Sequence, residues 1–249
     1  MHGIGRRYGA VEALTDVEMS VRAGEVVAIV GDNAAGKSTL AKVVAGVLRP
    51  DAGLIEIDGD LVSIPTPQAA QRLGIATVFQ DLAVAENLDV TANLYLGRER
   101  RRASGYVLAE AEMEATARDK LRELGARIPS VRTPLAELSA GQRQAVAIAR
   151  TLIAEPRIVV LDEPTASLSV AQTAEVLTHI ERLRELGIGV LFISHNLNDV
   201  RAVSDRIEVL RHGRNHGSFA GSSATNEELI AAITGAVRYD TGGPIETLR

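Results

Sequence analysis

Residues Gly31 to Thr39 read GDNAAGKST, set between EVVAIV (Glu25 to Val30) and LAKVVAGVL (Leu40 to Leu48). The first flank is short, apolar and β-branched. The second spaces its apolar residues as a helix does. The stretch therefore reads strand, glycine-containing loop, helix, and the loop itself fits the spacing G-x-x-x-x-G-K-[ST]. Consecutive backbone N–H groups in such a loop, together with a helix N-terminus, attract phosphate oxygens. Lys37 adds an ammonium for the β- and γ-phosphates, and Ser38 offers a hydroxyl to Mg²⁺. Gly31, Asn33, Gly36, Lys37, Ser38 and Thr39 are the candidate nucleotide contacts.

Further along, RIVVLDE (Arg157 to Glu163) is a continuous apolar run ending in two carboxylates, the pattern of a central parallel strand. In the tetrapeptide LDEP, Asp162 suits a metal ligand near the phosphate loop, and Glu163 suits the group that orients or deprotonates an attacking water. Two acids after an apolar strand equally suit a helix cap or a solvated loop. Their company with the phosphate loop favours chemistry. LIEID (Leu54 to Asp58) followed by Gly59, IATVF (Ile75 to Phe79), GVLFIS (Gly189 to Ser194) and IEVLRHG (Ile207 to Gly213) read as further strands. From Glu86 to Leu124 the chain is richer in charge and mainly helical in pattern. There Met113, Ala117, Leu121 and Leu124 share one face, and Glu114 and Arg118 are spaced for an i,i+4 pair. SAGQRQAVAIARTLIAE (Ser139 to Glu155) predicts a helix capped by its serine, and VAQTAEVLTHIERLREL (Val170 to Leu186) predicts another. Strands alternating with helices give an α/β fold with a mostly parallel sheet covered on both faces.

The chain's 249 residues suit one large α/β domain, or one domain with a subdomain. Apolar residues make up 46% and aromatics only 3%, so the core is aliphatic. A net charge of −5 argues against a general nucleic-acid binder. With no cysteine, disulfides, thiolate metal sites and cysteine nucleophiles are excluded. No run of about eighteen apolar residues occurs, and MHGIGRRYGAVEAL at the N-terminus lacks the apolar core of a secretion signal. The expectation is a cytosolic protein whose membrane role, if it has one, comes through a partner. His212 and His216 have metal-like spacing, but Gly213 between them marks a turn and no third ligand is evident. Arg98, Arg100, Arg101 and Arg102 form a basic cluster, read as solvated surface or as a contact with a partner or anionic lipid.

LSAGQRQAVAIAR (Leu138 to Arg150) resembles the signature sequence of ATP-binding-cassette proteins, usually LSGGQ, and it precedes the LDEP strand as it does in that family. Four more matches follow in family order. Tyr8 stands where the family stacks an aromatic on adenine. Gln80 looks like the glutamine of the Q-loop that touches Mg²⁺ and water. PTASLS (Pro164 to Ser169) resembles the D-loop, and His195 in FISHN looks like the switch histidine at the γ-phosphate. The resemblance runs from Tyr8 to about Gly235. It implies a P-loop nucleotide hydrolase with a RecA-like core, a small N-terminal antiparallel β subdomain and an inserted helical subdomain carrying the signature. The implied division is a single nucleotide-binding domain over 1–249, with the core in 1–84 and 153–235, the helical subdomain in 85–152 and a loose tail in 236–249. The implied cofactors are ATP and Mg²⁺. Glu163, His195, Lys37 and Gln80 are the implied catalytic residues, and Ser38, Gln80 and Asp162 the implied metal contacts. Ser139, Gly141 and Gln142 would meet the nucleotide held by a second, head-to-tail copy.

Within the family, VTANLYLGRE (Val90 to Glu99), the GDN opening the phosphate loop and GQRQAVAIAR are similar to importer ATPases for simple sugars. That likeness implies uptake through a separate integral membrane permease, fed by an extracytoplasmic solute-binding protein. The chain would sit on the inner face of the cell membrane as a homodimer, without nucleic acid. A soluble cassette ATPase acting on nucleic acid or ribosomes, and an ATP-binding regulatory module, are the alternatives. The chain departs from the family pattern at Ala34 and Ala140, where glycine is usual, and at Ser169, where aspartate is usual. It also begins inside the expected first strand.

Overall fold

In a computed structural model, described over residues 1–102, 105 and 107–236, the chain forms two compact units. One comprises Met1–Val21, Val26–Ala70 and the chain from Leu191 onward; the other comprises Arg22–Glu25 and Gln71–Val190. All but the first residue of the tail expected at 236–249 lies outside the described residues.

The first unit opens with the strands β1 (His2–Tyr8) and β2 (Val11–Val17), paired antiparallel. The buried β3 (Val26–Val30) and the helix α1 (Lys37–Val44) flank the phosphate loop as the pattern predicts. The strands β4 (Ala52–Ile57) and β5 (Asp60–Val62) complete an antiparallel sheet in the order β2-β1-β4-β5. This is the small N-terminal β subdomain. Asp58 (φ 55°) and Gly59 (φ 87°) make the two-residue turn between β4 and β5, the geometry that fits strand twist.

The helix α2 (Pro67–Arg72) leads into the second unit. Its strand β6 (Ile75–Val78) is followed by three helices: α3 (Val90–Tyr95), α4 (Glu110–Leu124) and α5 (Ala140–Leu152). The mainly helical run expected from Glu86 to Leu124 is present as α3 and α4, interrupted where the described residues between Leu96 and Ala109 are not helical. Gly97 and Gly105 have φ of 77° and 74°, a conformation that ends helices. The buried face of α4 is Met113, Ala117, Leu121 and Leu124, as the spacing predicts, and Arg118 donates to Glu114 at 2.8 Å. The strand β7 (Ile158–Asp162) runs parallel to β6, from Ile75 opposite Ile158 to Val78 opposite Leu161. The helix α6 (Val170–Glu185) closes the end of α4: Arg182 Nε donates to Glu123 O at 2.8 Å, and His179 Nδ1 lies 3.1 Å from Leu124 O.

The strand β8 (Gly189–Ile193) returns the chain to the first unit, where α7 (Leu197–Val203), β9 (Arg206–Arg211), β10 (Arg214–Ala220) and α8 (Asn226–Thr234) follow. β9 pairs parallel with β3, Val30 opposite Val209, and β10 pairs antiparallel with β9. β3, β7 and β8 are apolar and almost wholly buried, as strands covered on both faces must be.

Candidate nucleotide-binding site

The phosphate loop is built by close backbone approach. A Cβ on Gly31 would lie 2.2 Å from Leu210 O, and one on Gly36 (φ 104°) would lie 2.6 Å from Ala13 O. Only glycine fits both positions. Asp32 Oδ1 accepts from Asn33 N at 2.7 Å, and Asp32 O accepts from Ala35 N at 3.1 Å, curling the loop. Ala34, flagged as a departure, takes φ 64°, a left-handed conformation that alanine adopts at a cost. Lys37 is buried, and its Nζ donates to Gly31 O at 2.8 Å and Asp32 O at 3.0 Å, so the ammonium is held at the centre of the loop. α1 begins at Gly36 without a side-chain cap. Its first N–H groups, with Ser38 exposed beside them and Thr39 half-buried, therefore face a position suited to an anion.

The hairpin turn between β9 and β10 braces this loop, which the sequence reading did not anticipate. Gly213 N donates to Ala35 O at 3.1 Å, while Gly213 O accepts from Thr15 N at 2.7 Å. His212 (φ 48°) and Gly213 (φ 73°) form that turn. The turn itself is legible in the sequence at Gly213; its hydrogen bonds to Ala35 and Thr15, far away in the chain, are not. His195 is exposed in the same unit, directly after Ser194, whose N–H donates to Ile29 O at 3.4 Å at the end of β3. Asn196 then caps α7, accepting from Asn198 N at 3.0 Å. Tyr8 lies at the end of β1, 45% exposed, with the Arg6 guanidinium 5.3 Å from its ring centroid.

The second unit carries the other candidates. Asp162 is buried at the end of β7, and Glu163 follows it at φ 50°. A non-glycine residue in that region is strained, and such strain persists only where the surroundings impose it. Gln80 is exposed two residues beyond β6. Ser139 caps α5 in a reciprocal box: its Oγ accepts from Gln142 N at 3.2 Å, and Gln142 Oε1 accepts from Ser139 N at 3.0 Å. Gln142 Nε2 also donates to Arg127 O at 3.2 Å. Gly141 is buried inside the same first turn, packed so that a Cβ would meet Gln172 at 3.0 Å. Ser169 does for α6 what Ser139 does for α5, its Oγ accepting from Gln172 N at 3.4 Å.

The donor set fits a nucleotide. The loop offers backbone N–H groups, a lysine and an uncapped helix start, and its glycines let it pass against the backbone of Leu210 and Ala13. Among the described residues no three His, Asp or Glu side chains gather as a metal cage. Mg²⁺ needs no such cage, since one or two carboxylates together with substrate phosphates and water suffice to bind it.

The chain matches the family model described as ABC transporter over residues 14–166. It belongs to the ABC transporter family. It is 38% identical over 233 residues to a putative ribose/galactose/methyl galactoside import ATP-binding protein of Burkholderia cenocepacia, covering 94% of this cassette and 45% of that protein. The cassette thus spans about half the length of such relatives. It is 39% identical over 241 residues to the fructose import ATP-binding protein of Rhizobium meliloti, covering 94% of this cassette and 92% of that one. A solved bacterial ABC transporter cassette, determined as a dimer, superposes with a TM-score of 0.75 at 25% identity, covering 90% of this cassette and 98% of that chain. No helix among the described residues is long and apolar enough to cross a membrane.

Proposed function

We propose that this cassette is the MgATP-hydrolysing subunit of an importer, driving a small solute, a simple sugar, through a separate membrane permease on the inner face of the cell membrane. The observation that carries the reading is the phosphate loop closed around Lys37. Its likeness along nearly its whole length to a fructose import ATP-binding protein supports the sugar.

In this reading Lys37 and the loop N–H groups bind the phosphates, and Tyr8 stacks on the adenine. Ser38, Gln80 and Asp162 hold Mg²⁺, which when bound neutralises phosphate charge. Glu163 takes the proton of the attacking water at its carboxylate, and His195 donates to a γ-phosphate oxygen. Fixed donors of this kind are the main resource for phosphoryl transfer. Ser139 and Gly141 act on the nucleotide of a second copy, so two bound nucleotides hold a head-to-tail dimer closed.

The test is purification of a tagged chain from detergent-solubilised membranes of its own host. Recovery of a polytopic membrane protein in near-equal amount supports the importer subunit and identifies its permease. Recovery of soluble partners or nucleic acid alone sinks the import reading.

A further inference from the structure

The segment that follows Gln80 is short of secondary structure, yet it is pinned from three sides within the second unit. Asp81 Oδ1 accepts from Ala83 N at 3.3 Å. Arg150, in the last turn of α5, donates from Nη2 to Leu82 O at 2.9 Å and from Nη1 to Ala83 O at 3.0 Å. Asn93, fully buried on α3, takes the far side: its Oδ1 accepts from Ala85 N at 2.8 Å, and its Nδ2 donates to Ala85 O, Leu88 O and Asp89 O at 2.9, 3.1 and 2.9 Å. Between these anchors Ala83 sits at φ 46°, which an alanine holds only when its neighbours impose it.

Loop carbonyls ordinarily find water, so this arrangement is more than backbone satisfaction. A guanidinium fork spanning two consecutive carbonyls fixes the direction of the chain as well as its position. Burial, and then the like charge of Arg98, push the Arg150 guanidinium down from its ordinary range, but arginine keeps its proton there, as a lysine would not be certain to. The side chain is thus a rigid charged bracket. It joins the helix that begins at Ser139 to the loop that begins at Gln80.

We infer that Arg150 is a positioning residue for Gln80, holding the Gln80 loop in register with the signature helix α5, with Asn93 as the second anchor. The inference rests on the proposed role of Gln80. A movement of α5 is then delivered to the loop through two hydrogen bonds, and a loop released from Arg150 lets Gln80 wander while the phosphate loop stays intact.

The test is a double-mutant cycle of Arg150→Lys and Gln80→Ala, reading ATP turnover, nucleotide affinity and melting temperature. Lysine presents one point charge where arginine presents a fork. Arg150→Lys is expected to lower kcat roughly three- to tenfold while ATP affinity stays within about twofold, because the phosphate loop is untouched. In the Gln80→Ala background the same change is expected to cost nothing further, the non-additivity of residues acting through one another. Undiminished turnover in Arg150→Lys, or losses that multiply in the double variant, overturns the inference and leaves the Gln80 role standing. Full turnover in Gln80→Ala removes the Gln80 role itself, and the inference with it. Hydrogen exchange reads the loop directly. The Ala83 and Ala85 amides, held by Asp81 and Asn93, are expected to exchange slowly in the unaltered chain and faster in Arg150→Lys, and equal exchange in the two also overturns it.

Discussion

Gly31 passes Leu210 so closely that a Cβ on the glycine would lie 2.2 Å from the Leu210 carbonyl oxygen. The contact follows from register: Val30 pairs with Val209 in the parallel β3–β9 ladder, and the next step of each strand turns the loop onto the neighbouring backbone. The atom in the way is backbone, so rotamers offer no relief. Gly31→Ala must push β9 away from β3, at a cost of about 1–3 kcal/mol. The same shift moves the carbonyl that holds Lys37 Nζ. Thermal melting should therefore fall together with ATP affinity, and a variant with wild-type values of both would contradict the packing described.

Ala34 gives the opposite expectation. Its φ of 64° costs an alanine about 1–2 kcal/mol, and glycine pays about 0.4–1 kcal/mol in unfolded-chain entropy to escape it. Ala34→Gly should thus be neutral to stabilising by up to about 1.6 kcal/mol. Denaturant unfolding checks the sign. A clear loss of stability would mean that the alanine methyl packs in the loop in a way the backbone alone does not reveal.

The parts of this fold that sequence discloses are those whose cause is local. The phosphate loop is one contiguous string, the α4 face repeats at helical spacing, and Ser139 announces a helix because a cap lies three residues from the N–H it serves. Other parts have their cause elsewhere in the chain. β10 reads RNHGSFA, with no apolar alternation, and it is a strand because β9 offers it a ladder. Arg150 looks like any polar position on an amphipathic helix, since its partners Leu82 and Ala83 contribute only carbonyls, which every residue has. The stretch after Leu96 carries charges at helix-like density, and its glycines at 97 and 105 overrule that pattern.

His179 makes the stability of the second unit sensitive to acid. Burial lowers its pKa, against weaker opposing pulls from its contact with Leu124 O and from Glu175. The folded imidazole is therefore neutral under conditions where the unfolded one, at about 6.5, begins to take a proton. Above that pH both states are neutral and the group contributes nothing to the slope. Below it the unfolded state binds the proton first, so stability falls, by at most about 1.4 kcal/mol per pH unit, until the folded pKa is passed. His179→Asn can keep a donor for Leu124 O without titrating. It should flatten the decline in melting temperature below about pH 6.5, and an unchanged decline would assign the acid sensitivity to other groups.

Ser139 is a helix cap and, in the proposed mechanism, a contact to the nucleotide of a second copy, and one substitution separates the two roles. Aspartate caps a helix about as well as serine, so Ser139→Asp should keep the hydrogen bond from Gln142 N and hold its unfolding free energy within about 1 kcal/mol of wild type. A carboxylate facing a γ-phosphate is another matter, because like charges at contact repel strongly once water is excluded. In a Glu163→Gln background, where hydrolysis is blocked and MgATP should trap the closed pair, Ser139→Asp should leave the cassette monomeric on a sizing column. Ser169→Asp caps α6 in the same way and is the matched control, retaining the trapped dimer. If Ser139→Asp also dimerised with MgATP, Ser139 would be a cap and nothing more, and the completing contact to the nucleotide would have to come from another residue.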